Sequence, residues 1–108
     1  MSTAIAWSSL TVPPDVHAFA RERGLEPYLP GMVEVFLRIF GEARKRSVVV
    51  HLDPEVEGLS WILFEVEVPW TTFEQARQAD LEWYQETAAL CPAPLLCNFS
   101  LIIRRRVP

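Results

Sequence analysis

Four small groups of residues have types and spacings that could do chemistry. His51 and Asp53 alternate onto one side of a strand-like run, with Glu55 and Glu57 just beyond. A metal site needs several convergent ligands and outer hydrogen bonds that orient them. A His-x-Asp pair supplies two, and the other histidine, His17, lies on a distant early helix, so a polar sheet face is expected and no metal. Cys91 and Cys97 stand in CPAPLLC, not in the CxxC of redox or zinc sites. Cys91 falls at a helix C-terminus, where the dipole disfavours a thiolate. Cys97 is expected to point inward, and neither thiol has an argued histidine partner. Arg77 and Asp80 lie three residues apart in an otherwise apolar sector of a long helix, a spacing that permits pairing. They form either a local salt bridge at the sector's rim or a polar spot in an interface or pocket. Arg104, Arg105 and Arg106 make a compact basic tail that solubilises a strand end or meets an acidic partner.

No nucleophile–base pair and no convergent pair of acids is legible, so no catalytic residue and no cofactor is assigned. This leans away from an enzyme. The net charge of −4 argues against general nucleic-acid binding, which needs a basic footprint. Charge is also unevenly placed: Glu55 to Glu86 holds eight acidic residues and one arginine. Half of the 108 residues are apolar and 11% aromatic, and the mean hydropathy is +0.13. A chain of this length makes one domain, and roughly two-thirds of its unfolded surface can be buried. That leaves apolar material over for a partner.

The elements that must position these groups follow from hydrophobic period. Ser60 to Ile103 organises the chain as strand, long helix, strand. SWILFEVEV alternates in two, with Ile62, Phe64, Val66 and Val68 inward and Trp61, Leu63, Glu65 and Glu67 outward. TTFEQARQADLEWYQETAAL repeats at helical spacing, opened by Thr71 and Glu74 at capping-box separation. Its apolar sector, from Ala79 and Trp83 through Phe73 and Tyr84 to Leu81, exceeds the usual stripe of about 100°. Such a helix is covered on two sides, by its sheet and by another element or partner. LLCNFSLII then alternates again, with Cys97, Phe99, Leu101 and Ile103 toward the core and Asn98, Ser100, Ile102 and Arg104 outward.

Before this unit, Asp15 and Gly24 bracket a short helix, Met32 to Arg44 forms an amphipathic helix, and Ser47 to Asp53 forms a strand. Glu34, Arg38 and Glu42 make an i, i+4 ladder on the second helix. The expected fold is α+β in one domain over 1–108: a small, mainly antiparallel sheet of three strands with helices on one face, in the order α-α-β-β-α-β. Residues 1–13 are an N-terminal arm or edge strand. If residues 4–12 pair, the sheet has four strands and the order approaches the ferredoxin-like βαββαβ pattern. The third strand lies beside the first, antiparallel, or beside the second through a right-handed crossover.

MSTAIAWSSLTVPPD lacks the charged and apolar regions of a signal peptide, and no run approaches the ~18 residues of a membrane span. A cytoplasmic protein with no membrane partner is expected. SSLTVP, EPYLPGMVEVFLRIF and the strand, strand, helix and closing CP-strand that follow resemble a family of short bacterial proteins of about this length. The resemblance implies no activity and no functional residues.

The function expected from these features is a non-catalytic protein-interaction module, adaptor or antitoxin-like, binding itself as a homodimer or another protein. The alternative is a small enzyme or small-molecule-binding domain with its pocket between the long helix and the sheet. The residues expected at the interface or pocket are Arg77, Asp80, Trp83 and Tyr84 on the helix. On the sheet's outer face they are Trp61, Leu63, Glu65 and Ile102. Trp7, Trp61 and Trp70 would frame such a surface.

Overall fold

The computed structural model describes residues 10–41, 43, 45–68 and 73–105. Trp7, Trp70, Thr71, Arg106 and most of the expected strand over 4–12 lie outside those residues. Leu10 is buried, and residues 10–12 are not in a strand.

Helix α1 (Pro14–Glu22) starts on a proline, whose missing N–H is unneeded in the first turn. It ends in a Schellman motif: Leu25 N–H donates to Ala20 O at 2.7 Å and Gly24 N–H to Arg21 O at 3.3 Å. Gly24 holds a φ of +72°, open to glycine at no steric cost. Helix α2 (Leu29–Ile39) begins and ends earlier than the apolar period suggests. Pro30 sits in its first turn, so EPYLPG is part connector and part helix start. The helix stops where Phe40 leaves helical geometry (φ −113°, ψ 33°), just before Gly41.

Strands β1 (Lys45–Leu52) and β2 (Ser60–Val68) form an antiparallel hairpin in which Val48 faces Phe64 and Val49 faces Leu63. Its turn is held by Asp53, whose Oδ1 accepts the N–H groups of Glu55 (2.8 Å) and Val56 (3.0 Å). Helix α3 (Phe73–Leu90) follows, then a short α4 (Ala93–Leu96) and β3 (Phe99–Arg105). The extra helix is a correction to the sequence reading. Leu95 to Asn98 do not extend the last strand: the prolines that end α3 also begin α4, with one in its first turn. Cys97 is therefore exposed, not inward, and its Sγ donates to Pro94 O at 3.3 Å.

The sheet order is β1-β2-β3. Eight antiparallel pairs join β1 to β2 and seven parallel pairs join β2 to β3. The domain is α+β, with a three-stranded open sheet among the described residues. β2 and β3 are direct neighbours across the α3–α4 crossover. The split βαβ of a ferredoxin-like sheet would instead place a strand between them.

The described helices pack on one face of the sheet. Val48, Ile62, Phe64, Val66, Val68 and Phe99 join Val16, Met32, Phe36, Phe40, Ala79 and Trp83 in a single core cluster. Phe64 is its hub, with ring centroids 5.0 Å from Phe36, 5.1 Å from Trp83 and 6.3 Å from Phe99. α1 is tied to the far end of the chain by Arg23, which donates to Ser60 Oγ (2.9 Å) and Asn98 Oδ1 (3.2 Å). Its guanidinium lies 4.5 Å from the Phe19 ring centre. Truncating a fully buried aromatic hub removes both transfer free energy and packing. Phe64→Ala should therefore lose about 3–5 kcal/mol in urea unfolding, while Phe64→Leu should lose clearly less and keep the same m-value.

Candidate interaction surface

The outer face of the sheet is laid out in rows by the strand register. His51 lies beside Trp61; Val49 beside Leu63 and Ser100; Ser47 beside Glu65 and Ile102; Lys45 beside Glu67 and Arg104. The histidine that could have bound a metal instead packs against Trp61, with ring centroids 4.7 Å apart and planes tilted by 39°. Asp53 is engaged in its turn. Among the described residues no group of three or more His, Cys, Asp or Glu is arranged to hold a metal ion.

Leu63, expected to be exposed, is only 6% accessible, yet it is not part of the core cluster. It sits on the outer face of the central strand, flanked by a strand on either side. Glu65 accepts a hydrogen bond from Arg104 Nε at 2.8 Å, a diagonal cross-strand ion pair. With Lys45, Ser47 and Glu67 these two side chains line a cavity of ≈ 260 Å³ at the charged end of the sheet. Ile102 remains 38% exposed.

The long helix has three distinct flanks. Toward α2, Arg38 donates to Glu86 at 2.5 Å, and Glu74, Gln78 and Glu82 line a groove of ≈ 450 Å³ with Ile39. Arg38 thus reaches across to α3, although its own helix offers Glu34 at i−4. The hydrogen bond from Arg38 holds Glu86 below the usual carboxylate range, and the same contact raises Arg38. The middle flank buries Ala79, Trp83 and Thr87. Thr87, which the helical plot does not single out, satisfies its hydroxyl by donating to Trp83 O at 2.7 Å.

The third flank carries Phe73, Arg77, Asp80, Leu81 and Tyr84, which share one side of the helix by their spacing. Phe73 is 70%, Leu81 51% and Tyr84 56% exposed. Arg77 is exposed and Asp80 half-buried. Neither forms a salt bridge among the described residues, so the local pair expected from their i, i+3 spacing is not made. The wide apolar sector is therefore covered on one side and open on the other.

The expected site residues thus separate. Arg77, Asp80 and Tyr84 lie together on the open flank of α3. Trp61, Leu63, Glu65 and Ile102 lie on the sheet's outer face. Trp83, 2% exposed, belongs to the core, its ring 6.1 Å from Phe36. Phe73 and Leu81 join the open flank, and the sign of it in the sequence was the excess width of the apolar sector. The Lys45–Glu67–Arg104 row was not legible without the register.

β3 is the edge strand beside this flank. Phe99, Leu101, Ile102 and Ile103 make it mostly apolar, and no strand pairs with its outer edge among the described residues. β1, the opposite edge, opens on Lys45 and Arg46 and is flanked by α1. No described helix is long and apolar enough to cross a membrane. Comparisons with protein-family models, curated proteins and solved structures find no match to this chain.

Two outcomes follow from this geometry. Burial pushes the Cys91 thiol up, whereas Cys97 is exposed. A thiol reagent should modify one cysteine of the native protein quickly, identified as Cys97 by peptide mapping, and Cys91 only on unfolding. The lowered Glu86 carboxyl contributes stability that is present above its unfolded value and is lost as pH falls through the folded one. The difference in urea midpoint between wild type and Arg38→Ala should therefore be present at neutral pH and vanish at acid pH.

Proposed function

We propose that this protein is a non-catalytic interaction module that binds another polypeptide through the open flank of α3 and the adjoining β3 edge. One observation carries the reading: Phe73, Leu81 and Tyr84 stand exposed on one side of a helix whose middle flank is buried in the core and whose flank toward α2 is polar. Contiguous exposed apolar side chains rimmed by charge mark interaction surfaces in soluble proteins. The unpaired backbone of an apolar edge strand is itself a template for another chain. An adaptor-type role suits a small domain whose open surface is a helix flank beside a strand edge. The alternative expectation, a ligand pocket between α3 and the sheet, finds less support, because Trp83 fills that space against Phe36 and Phe64.

The test is site-specific photo-cross-linking in the expressing cell. A benzophenone amino acid replacing Tyr84 or Leu81 should yield a discrete covalent adduct with a protein, and one replacing the exposed Glu22 of α1 should not. Equal or absent adduct formation at all three positions would remove the basis for the module.

A further inference from the structure

Building on that reading, we infer that the occupant of the flank is a second copy of this chain, joined through antiparallel pairing of the two β3 edges around Ile102. The backbone defines the register. Ile62 N–H donates to Asn98 O at 2.7 Å, so the backbone groups of Asn98 point at β2. Because strand residues alternate, those of Ser100, Ile102 and Arg104 do the same. The N–H and C=O groups of Phe99, Leu101, Ile103 and Arg105 therefore face the free edge. Two such edges related by a two-fold axis at Ile102 place Leu101 opposite Ile103 of the other copy as a hydrogen-bonded pair. Phe99 then meets Arg105 in the same way, and all four residues of each strand whose backbone faces the free edge are used.

Charge selects this arrangement over others. In the antiparallel register each Arg104 lies opposite Ser100, far from its counterpart, whereas a parallel pairing would stack Arg104 on Arg104. Like charges directly opposite are destabilising. The flank of α3 is self-complementary in the same sense. It carries one unpaired cation and one unpaired anion, Arg77 and Asp80, about one helical turn apart. A two-fold axis passing between them sets each arginine against the aspartate of the other copy, the reciprocal contact an isologous interface requires.

α3 lies on the side of the helix layer away from α1 and β1, packing on α2 and touching β3. Its open flank is therefore the one that a continued sheet brings alongside its symmetry mate. The result is a six-stranded sheet in which the partly buried Leu101 and Ile103 of both copies become continuous core.

Sedimentation velocity over a wide concentration range tests this, with circular dichroism to confirm that each variant is folded. Wild type should sediment as a dimer. Ile102→Lys puts two cations at the closest pair of the new ladder and should weaken the dimer at least about tenfold. Arg77→Asp should also weaken it, and Arg77→Asp combined with Asp80→Arg should restore it, since the swap preserves the reciprocal pair. A wild type that stays monomeric at every concentration overturns the second-copy assignment. If the Tyr84 cross-link to a different protein persists, the interaction reading stands and only the occupant changes. A dimer unaffected by Ile102→Lys, or one not rescued by the charge swap, overturns the assignment equally.

Discussion

Phe64 is the contact on which the rest of the molecule depends. It sits on the central strand, at 0% exposure, and touches an aromatic ring from α2, from α3 and from β3. Offset and tilted aromatic pairs of this kind add to the free energy of plain burial. Because one ring is shared by three elements, their positions are mutually constrained: α2 cannot shift without disturbing Trp83, and α3 cannot shift without disturbing β3. The sheet order, with β2 in the middle, is the arrangement that lets a single strand serve both helices and the last strand.

That arrangement explains why the two sides of the molecule differ so much. The helices converge on the inner face around the hub, and no described helix lies on the outer face. There the sheet protects itself by side-chain pairing. Glu65 and Arg104 cross one strand boundary, His51 and Trp61 another, and Leu63 is sheltered between flanking strands. The charged row at one end and the tilted ring pair at the other leave a modest apolar strip of Val49 and Ile102 between them. The flank of α3 has no such protection, since its three large apolar side chains stand out with an arginine and an aspartate that do not pair.

Much of this is legible in the amino-acid sequence. The inward set of β2 was readable because a period of two admits only two faces, and its apolar face is unbroken from Ile62 to Val68. The extent of α3 was readable because its period persists for five turns. Other features lay beyond local pattern. Leu95, Cys97 and Phe99 have the parity of a strand, and only the helix-starting property of Pro94 puts Leu95 into a helical turn with Cys97 as its cap. The two possible places for β3 differ in tertiary packing around Phe99, which no periodicity records. The helical plot collected Phe73, Arg77, Asp80, Leu81 and Tyr84 into one sector. Which flank α2 would cover depends on the Arg38–Glu86 contact, 48 residues apart in the chain.

The Arg23 contact has a consequence for how the chain comes into being on the ribosome. It joins residues 75 positions apart, and β2 gains its second neighbour only from Phe99 onward. Contacts between distant residues form late, because the intervening chain must first be ordered. A nascent chain can close the β1–β2 hairpin early, but the foot of α1 and the hub ring stay incomplete until Asn98 and Phe99 are in place. During that interval the strand that will lie at the centre of the sheet is itself an edge, with Ile62, Phe64 and Val66 uncovered on one side. An uncovered strand edge of this kind is a template for non-native pairing in any chain in which β3 has not yet docked.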